Sequence, residues 1–468
     1  MYTREQLEKG YNFHALKDIL VKLGGIPSNK NKEQIIDLIL DIQDGKVEIV
    51  PKGKGRKRND EKWENIEYQD DDHKDVIVGD NEDVEKEYQS YVSGDVIKIS
   101  GTFEKSEGYD HGFLRGENFK MSSATDVYVS ANSVRYFHLR QGDYIEGTAT
   151  YNRDNNAPGL KAIEKINKQK WSPIARCKFQ DLEPAFPDSK IKLEVEGEND
   201  ITLRAIDLLA PIGKGQRGLI VAPPKAGKTT LLKKMATSIN KNHPDIHLMV
   251  LLIGERPEEV TDFKRSINCE LIYSTFDEKP KNHIRISELA IEKAKRMVEA
   301  GEHVVILLDS ITKLTRAYNE TISSSGKTLS GGIDPIALQQ PKSFFGAARN
   351  IDGGGSLTII STALVETGSR MDDVIYEEFK GTGNSEIILS RSLSERRIFP
   401  AIDLYRSGTR KDELLLSQDE LDCAYAVRRY FDKINDAEVK FIDMIKKTAN
   451  NSELTEKAPV WFKLMENN

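Results

Sequence analysis

Apolar residues along this chain follow two rhythms. In 91–170 they form short, near-alternating runs, VIKIS, GTFEK, HGFLRG, DVYVS and DYIEGTATY, separated by Gly, Asn and Asp. A period of two predicts half-buried strands, and about five of them in roughly eighty residues predict a small closed β-barrel of the OB-fold kind. In 193–468 the rhythm changes. Continuous apolar runs such as LIV, LMVLLIG, HVVILLD, SLTIISTAL and EIILS alternate with stretches of helical spacing. That alternation predicts an α/β domain with a largely parallel sheet. Two further regions precede the barrel. In 1–49, Leu7, Tyr11, Leu16, Ile19, Leu20 and Leu23, then Ile35, Ile36, Ile39 and Leu40, are spaced for a small helical subdomain. In 50–90, PKGKGRKRN and the acidic residues after it bury too little apolar surface to offset their ordering entropy, so a charged, disordered insertion is expected. The Pro-rich segment 171–192 reads as an extended connector.

Composition narrows the class. A chain of 468 residues is long enough for more than one domain, and 38% hydrophobic with 31% charged residues suits a soluble protein. The three cysteines, Cys177, Cys269 and Cys423, are far apart and form no CxxC, so neither a disulfide framework nor a zinc site is expected. The N-terminus MYTREQLEKG lacks an apolar core of signal type, and no run reaches membrane-spanning length. A cytoplasmic protein without membrane contact is the expectation. Net charge of −7 gives no global sign of nucleic-acid binding, so such a site must be a local surface.

Chemistry concentrates in RGLIVAPPKAGKTTLLKKM, from Arg217 to Met235. An apolar strand turns through Pro223 and Pro224 and meets Gly227, Lys228 and Thr229 at the head of a helix. This is the setting of a phosphate-binding loop, in which backbone N–H groups and the helix terminus cradle a polyphosphate. Lys228 would reach the outer phosphates, and the Thr229 hydroxyl would ligate Mg²⁺. The usual first glycine of this motif is Ala222 here. Two further apolar runs end in Glu255–Arg256 and Asp309–Ser310, and strand tips are where a parallel sheet gathers ligand chemistry. Together they predict an ATPase. In the barrel, Phe113 beside Arg115 and Tyr128 near Asp126 fit a platform for stacking bases. They fit a barrel core equally well.

The segments VAPPKAGKTTLL, LLIGERPEEVT, ILLDSITKLTRAYN, SGKTLSGG, FFGAARN, YEEFKGTGN and FPAIDLYRSGTRK together resemble the bacterial transcription termination factor Rho family, and HGFLRG with DVYVS extends the likeness into the barrel. The resemblance implies a RecA-like ATPase in a homohexameric ring that binds single-stranded nascent RNA and moves along it 5′ to 3′. That motion would dissociate the RNA polymerase elongation complex and so terminate transcription. It implies ATP and Mg²⁺ as cofactors, and ATP contacts at Lys225, Ala226, Gly227, Lys228, Thr229 and Thr230, with Arg256 and Phe399. Further ATP contacts are implied at Gly213, Lys214, Gly215, Gln216, Arg217 and Gly218. Glu255 would orient and deprotonate water, Asp309 would hold Mg²⁺ through water, and Arg410 would be an arginine finger reaching a neighbouring subunit. A primary RNA site is implied at Asp110, His111, Gly112, Phe113, Leu114 and Arg115, continuing at Asp126, Val127 and Tyr128. A secondary site is implied at Lys327, Thr328, Leu329, Ser330, Gly331 and Gly332, with Arg370 and Lys380. Departures are His111 in place of an aromatic and Gly254 in place of an acidic residue. The rival readings are another RecA-like hexameric motor, such as a DNA helicase, and an RNA-binding module with a degenerate nucleotide site.

Overall fold

The computed structural model describes residues 36, 40, 95–122, 125–151, 158–172, 176–323, 326–431 and 436–466. Apart from Ile36 and Leu40, both helical, the expected N-terminal subdomain and charged insertion lie outside the described residues.

The barrel is built by β1 (Val96–Lys105), β2 (Gly112–Arg115), β3 (Val127–Val129), β4 (Tyr144–Thr150), β5 (Gly159–Ile166) and β6 (Gln169–Lys170), in the order β3-β2-β1-β4-β5-β6. A parallel contact of Tyr128 with Gly159 joins β3 to β5 and closes the sheet. Alternation does here what the sequence predicts. Along YIEGTAT every second residue is buried, and Ile97, Ile99, Phe103, Leu114, Val127, Val129 and Ile145 fill the interior.

The ATPase half begins with a short strand, β7 (Pro184–Ala185). Its main strands are β8 (Arg217–Ala222), β9 (Ile246–Glu255), β10 (Glu270–Thr275), β11 (His303–Asp309), β13 (Ser356–Leu364), β14 (Ser385–Ile388) and β15 (Gly408–Thr409). They run in the order β10-β9-β11-β13-β8-β14-β15, and β12 (Arg349–Ile351) bridges β13 to β7. All neighbours from β10 to β14 in this order are parallel, while β15 at the edge and the short β12 pair antiparallel. Both faces are buried. In β8, Ile220 and Ala222 enter one apolar cluster while Leu219 and Val221 enter the other. This is why the strands read as continuous apolar runs.

Ion pairs and main-chain contacts bolt the barrel to this half. The Arg285 guanidinium donates to both oxygens of Glu104 at 3.0 Å and to the Phe119 carbonyl at 2.8 Å. The Tyr273 amide donates to Asn118 Oδ1 at 2.6 Å, and Phe119 is buried in the ATPase core.

Candidate functional site

β8 stops at Ala222, and the loop after it uses two left-handed residues, Lys225 at φ +64° and Gly227 at φ +93°. A side chain at Gly227 would meet no neighbour, so it is the backbone angle that calls for glycine. The helix Lys228–Asn242 then starts with no side-chain cap, leaving its first N–H groups aimed at the loop.

Two carboxylates converge on Lys228 from adjacent strand tips. Its Nζ lies 3.1 Å from Glu255 Oε1 at the end of β9 and 2.6 Å from Asp309 Oδ1 at the end of β11. Burial works against the charge of Lys228, but Asp309 and Glu255 outweigh it and hold the pKa above that of an ordinary lysine. Burial likewise opposes ionisation of Glu255, and Lys228 with Lys313 overcomes it, so this carboxyl sits below the usual range. Asp309 Oδ1 also accepts from Thr362 Oγ1 at 2.7 Å, whereas its Oδ2 is buried without a partner. A buried carboxylate oxygen left in that state suits an ordered water or a hydrated cation. The Thr229 hydroxyl lies 3.3 Å from Glu259 Oε2 on the neighbouring helix Pro257–Ser266.

Lys313 belongs to this pocket, although the sequence did not single it out. Its ammonium donates to the Gly254 carbonyl at 2.9 Å and to Glu255 Oε1. Its place one turn into the helix that follows Asp309–Ser310 was the signal. Thr362, on β13, carried none, because only strand pairing brings it to Asp309. Gly254 has φ +61°, so an acidic side chain in its place would be strained.

Of the other nucleotide candidates, Arg256 and Thr230 are exposed at this rim. Phe399 is half exposed in the segment after the helix Arg391–Glu395, whose Ser394 hydroxyl donates to the Lys225 carbonyl at 3.1 Å. Gly213 to Gly218 stand apart from the phosphate loop in the single chain. Within one chain they lie at the opposite end of β8 from the phosphate loop, because the six-residue strand intervenes. Their groups serve the fold there. The Gly215 amide donates to Thr358 Oγ1 at 2.8 Å, and a side chain on Gly215 would strike the Asn350 backbone. Gln216 Nε2 donates to Asn384 Oδ1 at 2.6 Å, and Lys214 pairs with Asp245 at 3.2 Å. The Arg217 guanidinium holds the carbonyls of Thr382 and Ala348 at 3.1 and 3.0 Å. Arg410 is exposed at this same end, its amide donating to the Asn384 carbonyl at 2.8 Å.

On the barrel, Phe113 and Tyr128 face each other across β2 and β3 with ring centroids 5.8 Å apart. His111 lies 6.3 Å from Phe113 and 5.6 Å from Tyr128, and Tyr109, which the sequence reading missed, adds a fourth ring 5.1 Å from His111. Tyr109 and Tyr128 are exposed. Asp110 on the same turn pairs with Arg135 at 2.9 Å and Lys105 at 3.6 Å. Five of the expected RNA contacts are buried. Leu114 and Val127 point into the barrel core. Arg115 is buried between Glu104 and Asp126, and Glu104 is the carboxylate that Arg285 grips. Burial pushes the Asp126 carboxyl up to about 6 despite Arg115. This pair is therefore structural, although the Arg115 guanidinium does back the Phe113 ring at 4.9 Å. Gly112 is required by close approach, since a Cβ would meet the Glu104 carbonyl at 2.2 Å.

The secondary candidates form a loop and a helix. Lys327, Thr328, Leu329 and Ser330 are exposed, and Gly331 packs against the Arg370 backbone, so the loop reaches the first residue of the helix Arg370–Lys380. Asn319 donates to the Gly332 carbonyl at 3.3 Å. Lys380 stands at the helix's far end, roughly 15 Å along the axis, with its ammonium 5.6 Å above the Tyr376 ring.

A doubly covered parallel sheet with a phosphate loop and two acidic strand tips, preceded by a small closed barrel, defines a RecA-like P-loop ATPase carrying an OB-fold. Residues 202–409 match the ATP synthase alpha/beta family, nucleotide-binding domain, and residues 99–172 match the Rho termination factor, RNA-binding domain. The chain is 53% identical over 363 residues to transcription termination factor Rho of Bacillus subtilis, covering 77% of this chain and 84% of that protein. It is 50% identical over 369 residues to the Pseudomonas aeruginosa Rho, covering 77% and 88%. The chain belongs to the transcription termination factor Rho family. A solved ATPase from the type III secretion system of pathogenic bacteria shares the fold at TM-score 0.51 and 24% identity, covering 64% of this chain and 93% of that one. The assembled ATPase of the enteropathogenic E. coli type III secretion system does so at TM-score 0.51 and 20% identity, covering 80% and 98%. No helix among the described residues is long and apolar enough to cross a membrane.

Proposed function

We propose that this chain is an ATP-driven RNA motor that binds single-stranded nascent RNA on its barrel and moves along it 5′ to 3′. It works as a homohexameric ring and releases the transcript from the RNA polymerase elongation complex. The observation that carries this reading is the division of charged groups between the two ends of the ATPase sheet. Lys228, Glu255 and Asp309 meet at one end, and Arg410 stands exposed at the other. Hydrolysis then needs a second subunit to bring Arg410 to the first subunit's site, which a ring supplies.

At the site, an incoming triphosphate competes with Glu255 and Asp309 for Lys228. Losing that cation leaves Glu255 held by Lys313, oriented and freer to accept a proton from the attacking water. The Thr229 hydroxyl and Asp309 Oδ2 would hold Mg²⁺, Asp309 through water, and the ion supplies charge neutralisation on the phosphates. Phe399 lies against the adenine, Arg256 reaches the phosphates, and Tyr109, His111, Phe113 and Tyr128 stack bases. The loop Lys327–Gly332 with Arg370 and Lys380 grips the RNA backbone in the channel.

The deciding measurement is ATP hydrolysis with single-stranded RNA, with single-stranded DNA and with neither, alongside displacement of an oligonucleotide annealed 3′ on an RNA track. RNA-dependent hydrolysis with displacement is expected. Equal stimulation by DNA supports a DNA helicase, and hydrolysis indifferent to nucleic acid rejects the motor.

A further inference from the structure

Glu386 occupies the strand between β8 and the edge strand β15. It sits on β14, opposite Leu219 of β8 on one side and Gly408 of β15 on the other. The charged groups around it come from two elements. Lys380 and Glu377 act on it through space from the helix Arg370–Lys380, and Arg406 and Arg410 from the segment leading into and out of β15. Its Oε1 is buried and accepts no hydrogen bond. A buried carboxylate oxygen with three cations acting on it and none bonded to it is an open acceptor for whichever of them moves in. Burial also raises the carboxyl's pKa above the ordinary range, in keeping with an incompletely paired anion.

We propose that Glu386 is a positioning residue for Arg410, and that its hold on the guanidinium depends on whether Lys380 is engaged by RNA. The inference rests on the reading above, in which Lys380 contacts RNA and Arg410 completes a neighbour's site. Without RNA, Lys380 draws on the same carboxylate. Once a phosphate takes Lys380, the attraction of Glu386 falls to the arginines, and Arg410 is held ready for the next subunit. RNA in the channel is thereby coupled to hydrolysis across the interface through one side chain.

Mixed rings test this directly. Lys228→Ala subunits donate an intact Arg410, and Arg410→Ala subunits donate an intact Lys228, so their mixture hydrolyses ATP where the two intact halves meet. Glu386→Gln placed in the Lys228→Ala subunits should lower the recovered, RNA-stimulated rate roughly ten- to hundredfold, what one charge-assisted hydrogen bond supplies. Placed in the Arg410→Ala subunits it should leave that rate unchanged. Glu386→Asp in the first position should restore part of the loss. Hexamer formation and RNA affinity are measured on the same samples, so that misfolding registers separately. Equal losses in both placements, or none in either, overturn the proposal. If the parent mixture recovers nothing, the finger reading itself fails, and the proposal falls with it.

Discussion

The two ends of the ATPase sheet carry similar sequence and opposite chemistry. At one end, GKGQRG is rich in glycine and cationic, yet its amides and side chains are spent on Thr358, Asn384, Thr382 and Ala348. At the other, KAGKTT is just as glycine-bearing, yet its helix start is uncapped and Lys228 faces two carboxylates that a phosphate can replace. Glycine and lysine in a loop do not make a nucleotide site. What makes one is where the loop stands on the strand and whether its donors already have partners. The barrel repeats the lesson with Arg115, which is spent on the fold, and Phe113, which lies among surface rings.

The comparison breaks most visibly at Arg410. Arg410→Ala should lower steady-state ATPase by about 10³–10⁵-fold while leaving the unfolding temperature unchanged, because the side chain is exposed. Retained hydrolysis would mean that the far end of the sheet plays no catalytic part. Next comes Glu255→Gln, which should slow turnover by roughly 10²–10⁴-fold with ATP affinity preserved. Nucleotide binding and single-turnover rate, measured together, check it. A near-normal rate would move the proton acceptor elsewhere.

On the barrel, Arg115→Ala should cost about 3–5 kcal/mol of stability, since it strands Glu104 and Asp126 in the interior. Phe113→Ala should instead cost about 1–3 kcal/mol of single-stranded RNA affinity, with the ATPase rate recovered at saturating RNA. Denaturation midpoints and RNA titrations on both variants separate the two roles. If Phe113→Ala destabilised the barrel and bound RNA normally, the rings would be core after all. The smallest effect belongs to Lys214, whose partner Asp245 is largely exposed. Lys214→Ala should move stability by less than about 1 kcal/mol and barely change the KM for ATP. A large rise in that KM would bring the GKGQRG end to a neighbour's nucleotide and sharpen the contrast into a two-subunit site.

Local pattern alone determined the elements of this protein. The period of two in YIEGTATY and the continuous runs ending at Ala222, Glu255 and Asp309 announced a barrel and a parallel sheet, because side-chain alternation and two-sided burial are properties of the strand itself. The phosphate loop was legible for the same reason, since its chemistry is confined to a dozen consecutive residues. Only the tertiary structure decided which groups share a site. Gly215 and Lys225 are close in sequence, but a strand between them sends them to opposite ends of the sheet. Asp309, Thr362 and Lys228 are far apart in sequence, but β11, β13 and β8 lie side by side. Whether an arginine is a ligand or a strut was likewise decided by what packs around it, as at Arg115, because burial beside a carboxylate belongs to the fold and not to the residue.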